Sequence, residues 1–122
     1  MAKAILDTNF ILSCIDKKID FFEAISFIGF NIIIPNEVIG ELKKFSSNGK
    51  TKLAQNSDLA LKILGKNDFE EIYLKEKNVD KGIVKFAKEN PEIAVATLDR
   101  EIKRKIKNQK IVIMGKKKLE II

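Results

Sequence analysis

Four acidic residues stand where chemistry could be done, in a chain of 122 residues that contains no histidine. Asp7, within LDTN, follows the first short apolar run, and Asp99, within ATLD, follows the fourth. Glu41 lies one turn into the helix that follows the second run, and Asp80 opens the helix that precedes the fourth. Glu41 is three residues from Val38 and four from Phe45, so it flanks a buried stripe, unlike Lys43 and Lys44; a carboxylate seldom takes such a place without a partner. The missing histidine excludes Ser-His-Asp and Cys-His nucleophilic sites, and one cysteine cannot hold a structural zinc ion. Several carboxylates in one cleft are instead hard oxygen ligands suited to Mg²⁺ or Mn²⁺. Such ions activate water and neutralise the oxygens of a phosphodiester. Asp7, Asp80 and Asp99 each also precede a helix, where Asp is a favoured N-cap, and Glu41 could be a rim residue paired to a lysine. Convergence in space separates the two readings.

The elements that would bring these acids together follow from hydrophobic periodicity. Residues 3–6, 31–34, 69–74, 93–98 and 110–114 read as buried strands, with a short edge strand at 119–122. Residues 9–16, 19–28, 52–64, 79–89 and 100–108 read as helices, another begins near Asn36 after Pro35, and 46–50 is a loop. Strands alternating with helices predict an α/β fold in three layers, a parallel sheet of about five strands with helices on both faces. Crossovers are right-handed, and the site lies beyond the carboxyl ends of the strands where the strand order reverses. If the first and fourth strands are central neighbours, Asp7 and Asp99 lie side by side at that point.

The length suits a single domain over residues 1–122, large enough to bury a core without staples. No apolar run approaches the roughly 18 residues of a membrane span, and the apolar run at the start is too short for a signal peptide. Cys14, among Ile11, Leu12 and Ile15, reads as a small buried hydrophobe in a reducing, cytoplasmic setting. The net charge of +6 is unevenly placed. Acids and bases balance up to residue 98, and the excess lies in the last 24 residues. Arg100, Lys103, Arg104 and Lys107 form a basic helix suited to a phosphate backbone; the bland alternative is a solvated lysine-rich face. Lys116 to Lys118 fit either a phosphate contact or the blunting of a sheet edge.

LDTNFIL, IPNEVIGEL, VDKGIVKFA and VATLDREIKRKIK, in this order, resemble the four acidic motifs of PIN-domain nucleases over nearly the whole chain. The resemblance implies strand order 3-2-1-4-5 and an endoribonuclease that hydrolyses RNA phosphodiesters with Mg²⁺ or Mn²⁺. It implies Asp7, Glu41, Asp80 and Asp99 as metal-binding, catalytic acids, with Asn9 and Thr97 as polar residues that orient ligands. The basic segment after Asp99 is similar to the branch related to a ribosomal-RNA processing factor, and the small size resembles VapC-type toxins. These branches imply a ribosome-assembly partner or an antitoxin, and a homodimer formed through helices of the N-terminal half, which is rich in Phe and Ile; the alternative is that Phe21, Phe22 and Phe27 fill the core of one chain. The chain departs from its relatives in lacking a zinc appendage and a further Asp soon after Asp99, where only Glu101 stands. A catalytically inactive RNA-binding module on the same fold is the alternative. A phosphoryl-accepting receiver domain fits poorly, because the third strand ends in Leu74 and Lys75 rather than an acceptor Asp.

Overall fold

A computed structural model describes residues 2–122. The strands are β1 (Ala2–Leu6), β2 (Phe30–Pro35), β3 (Glu70–Ile72), β4 (Ala94–Ala96), β5 (Lys110–Met114) and β6 (Lys118–Ile121). The helices are α1 (Thr8–Asp16), α2 (Phe21–Phe27), α3 (Asn36–Ser46), α4 (Lys52–Gly65), α5 (Val79–Glu89) and α6 (Arg100–Lys105). One sheet runs in the order β3-β2-β1-β4-β5-β6. Its first five strands are parallel and β6 returns antiparallel to β5, so the expected five-strand order is extended by one edge strand. Gly115, at φ 65°, lies in the turn that makes this return.

The layers follow from the pleat. Successive side chains of a strand point to opposite faces. Ala4, Leu6, Ile32, Ile34, Ala94 and Ala96 therefore enter one core with Phe10, Ile11, Phe21, Ile25, Val38, Leu42, Ala60 and Leu64 from α1 to α4. Ile5, Ile33 and Val95 enter the other, under Ile83 and Ala87 of α5 and Ile102 of α6. The central strands are buried on both faces, which is why they read as continuous apolar runs. Phe21 and Phe22 are spent inside: Phe21 is buried, and Phe22 packs 5.0 Å from it and 6.4 Å from Phe69. Of Phe21, Phe22 and Phe27, only Phe27, 90% exposed, stands in solvent. No described helix is long and apolar enough to cross a membrane.

Three boundaries shift from the sequence expectation. The third strand shrinks from residues 69–74 to Glu70–Ile72, because Leu74 and Lys75 give their amides to Glu37 rather than to a sheet neighbour. The fourth strand shortens from 93–98 to Ala94–Ala96, since Thr97 and Asp99 turn toward the site. The last helix ends at Lys105, not at residue 108. Ile106 is extended and buried there, and Asn108 is drawn inward to donate to the carbonyls of Ala87, Asn90 and Ile93 at 3.0, 3.0 and 2.7 Å.

Candidate active site

The switch point lies between β1 and β4, which pair with Leu6 opposite Ala96. The residues that follow these strands, Asp7 and Thr97, therefore emerge side by side. The Asp7 amide continues the ladder, donating to the Ala96 carbonyl at 3.1 Å. Its carboxylate is 3% exposed. Oδ1 accepts the Phe10 amide at 2.7 Å, capping α1, and Oδ2 accepts the hydroxyl of the fully buried Thr97. Thr97 Oγ1 in turn accepts the Asp99 amide at 3.1 Å, and Asp99 Oδ1 caps α6 by accepting the Glu101 amide at 2.8 Å. Capping and convergence are thus not alternatives for Asp7 and Asp99: one oxygen of each serves the helix. Asp80 does not cap α5; Asn78 does, accepting the Lys81 amide at 3.0 Å.

The electrostatics show the acids facing one another. Burial pushes the Asp7 carboxyl up to about 6, hydrogen bonds from Thr97 and Phe10 pull against this, and the charges of Asp80 and Asp99 add to the rise. Asp80, though exposed, also lies above the usual carboxylate range, through partial desolvation, the charges of Asp99 and Glu41, and a hydrogen bond shared with Asp99. Glu41, half-buried on α3, takes the Thr8 hydroxyl on Oε1. Asp7 and Asp99 from the strand ends, Asp80 from the start of α5 and Glu41 from the middle of α3 thus come within range of one another's charge, Glu41 through Asp80.

Of the two polar residues the resemblance implies, Thr97 bonds Asp7 and Asn9 is exposed on α1; the neighbour of Asn9, the buried Thr8, makes the contact to Glu41. Both lie in the same LDTN string, and only the direction of the helix separates them. Glu37, one turn before Glu41, holds the amides of Leu74 and Lys75 at 3.0 Å each. Its carboxyl lies below the usual range because these bonds and its own amide outweigh the burial that raises it. Lys75 adopts φ 61° in that loop, which leads directly to α5 and Asp80. Of the expected phosphate-binding residues, Arg100 and Lys107 are exposed and Lys103 is half-buried, whereas Arg104 is tied to Glu101 at 2.6 Å.

The donor set suits a hard divalent cation by its chemistry. It is all carboxylate oxygen, and burial together with the charges of neighbouring acids holds two of its members, Asp7 and Asp80, above their ordinary range; a cation would offset those charges. The cage is open as the side chains stand: among the described residues no three acid or thiol groups converge tightly enough to hold an ion.

An acid cluster at the switch point of a doubly wound sheet defines a class of fold and site with known relatives. Residues 4–118 match the model of the PIN-like domain family, and the chain belongs to that family. It is 34% identical to a protein of Methanocaldococcus jannaschii named ribonuclease VapC4, over 93% of this chain and 89% of that one. The solved PIN domain endonuclease Utp24 superposes with a TM-score of 0.79 at 26% identity, covering 98% of this chain and 90% of that one. A Pyrobaculum aerophilum protein shares the fold at a TM-score of 0.57 and 19% identity, over 89% and 83% of the two chains.

Proposed function

We propose that the chain is a Mg²⁺- or Mn²⁺-dependent endoribonuclease, a single domain whose centre is Asp7, Glu41, Asp80 and Asp99. The observation that carries this reading is the junction of β1 and β4, where a buried carboxylate fixed by Thr97 faces the charges of two further acids. The names of the relatives, a ribonuclease and an endonuclease, support it. A divalent ion bound there would supply an activated water and offset the charge of a phosphodiester.

The protein's own part is positioning. Thr97 and the Phe10 amide fix both oxygens of Asp7, so this acid cannot swing out to solvent. The Asp99 carboxylate is anchored by one oxygen at the start of α6 and shares a hydrogen bond with Asp80. Thr8 orients Glu41 across from them. Asp80 closes the set from α5, delivered by the loop that Glu37 staples to α3. Without a cation these acids repel a phosphate placed between them, so the ion and the scissile phosphate should bind there together.

A fluorogenic single-stranded RNA assay with Mg²⁺, Mn²⁺ or EDTA tests the reading. Cleavage with either ion, lost in EDTA and in Asp7→Asn, is the expected result. The open cage favours one rival, an inactive RNA-binding module. RNA bound without turnover under every ion would establish that rival instead.

A further inference from the structure

Beyond Asp80 and Asp99 the surface continues as a groove of 590 Å³ between α5 and α6. Its lining includes Val84, Ile102 and three lysines, Lys81 and Lys88 on α5 and Lys105 on α6. Lys81, Val84 and Lys88 follow one another at three and four residues along α5, so they share one helix face. From Asp80 to Lys88 this face runs about 12 Å, at 1.5 Å per residue. Among the described residues none of the three lysines is ion-paired; of the three acids on the wall, Glu101 is held by Arg104, and Asp80 and Asp99 belong to the carboxylate centre. The remaining basic residues of the C-terminal segment, Arg100, Lys103, Arg104 and Lys107, do not line this groove.

We propose that the α5–α6 groove is the track of an unpaired RNA strand leading away from the carboxylate centre, with Lys81, Lys88 and Lys105 on its phosphates and the half-buried Val84 beneath a base. The proposal rests on the ribonuclease reading for the direction of the strand, but its binding surface stands on the groove itself. The three cations match a phosphate chain, and the groove opens directly from Asp80 and Asp99. Its volume falls in the range of small-ligand sites and admits a nucleotide or two, not a duplex. The contacts are to backbone charge and an apolar floor, so they confer little sequence preference.

The test uses a fluorescein-labelled ten-nucleotide oligouridylate in EDTA, with anisotropy titrations from 25 to 200 mM KCl. For single strands the slope of log affinity against log salt is about 0.7 per phosphate neutralised. The triple variant Lys81→Ala, Lys88→Ala, Lys105→Ala should lose about two units of slope, and the matching triple Lys→Arg variant should restore them. A quadruple Ala variant of Arg100, Lys103, Arg104 and Lys107 should change the slope by less than one unit. An unaltered slope in the triple Ala variant, or no binding by the wild type, overturns the track. Hydrolysis of bis(p-nitrophenyl) phosphate by the wild type with Mn²⁺ reads the carboxylate centre separately. If that hydrolysis fails while the triple variant loses its slope, the groove stands and the ribonuclease reading falls.

Discussion

Asp7 combines tasks that pull its ionisation in opposite directions. Its hydrogen bonds favour the carboxylate, but burial and two neighbouring acids favour the neutral acid and win, leaving it at about 6 against an ordinary value of 3.8. Two pKa units correspond to about 3 kcal/mol. Because the folded value is the higher one, the folded state binds the proton more tightly. Its stabilising contribution is complete below the unfolded value and is lost as pH rises through about 6. In EDTA the wild type should therefore lose unfolding free energy between pH 4.5 and 7, by an amount on the order of 2–3 kcal/mol. Asp7→Asn keeps an oxygen for the Phe10 amide and carries no charge, so its urea midpoint should be nearly level across that window. A wild-type midpoint that rises over the same window would show that Asp7 is charged without strain. Cys14 reports the same field: burial, then the Asp7 charge, push its thiol up to about 12, so it should resist thiol reagents in the folded state.

Elements set those residues in place, and their defects are as informative as their contacts. Asn108 fits three carbonyls with its amide nitrogen, fastening the end of α5 to the entry of β5. Asn108→Ala should cost about 1–2 kcal/mol by removing the donor that reaches these carbonyls, although those of Ala87 and Asn90 keep the backbone amides of Asn90 and Ile93, and Asn108→Asp should cost more, since a carboxylate would face them. Equal costs for the two variants in urea unfolding would deny the role. Ser57 on α4 is the converse: its hydroxyl is buried without a partner. Ser57→Ala should raise stability by about 1 kcal/mol, through the lost desolvation penalty and better helix propensity. Gly82 opens a third case. An added Cβ would meet Leu74 Cβ at 3.0 Å and Glu76 Cβ at 3.2 Å. Gly82→Ala should thus lose about 1 kcal/mol despite a better helix former, and shift the loop ahead of Asp80.

Much of this was legible at the level of elements. Apolar runs marked the central strands, helical spacing marked α2, α3 and α4, and the remaining elements followed from the alternation of strands and helices. The sheet order followed from the family resemblance, and the adjacency of Asp7 and Asp99 from the sheet order. What the sequence did not disclose depends on side-chain direction over single residues. Thr8 rather than Asn9 faces Glu41, and Asn78 rather than Asp80 caps α5. Lys105 rather than Lys103 lines the groove. The turn-in at Asn108 was invisible because a polar residue ending a basic helix reads as solvated until its three buried acceptors are known.

At the scale of the molecule, the fold separates support from chemistry. Helices α1 to α4 fill the core on one face of the sheet and α5 and α6 the core on the other, and the acids gather at the carboxyl ends of β1 and β4. The central claim is that four carboxylates on different elements form one divalent-cation site. Only the folded state can present such a site, so an ion that binds it raises the melting temperature. At a hundredfold excess over the dissociation constant the gain is about 2.7 kcal/mol. The decisive measurement is a thermal melt in EDTA and in Mn²⁺ of the wild type, Asp7→Asn, Asp99→Asn and Asp58→Asn. The Asn variants keep an oxygen for each helix cap, and Asp58 pairs with Lys62 on α4 away from the site. The wild type and Asp58→Asn should gain equally from Mn²⁺, and Asp7→Asn and Asp99→Asn should lose most of that gain. Equal Mn²⁺ responses in all four proteins would contradict the account and leave Asp7 and Asp99 as helix caps alone.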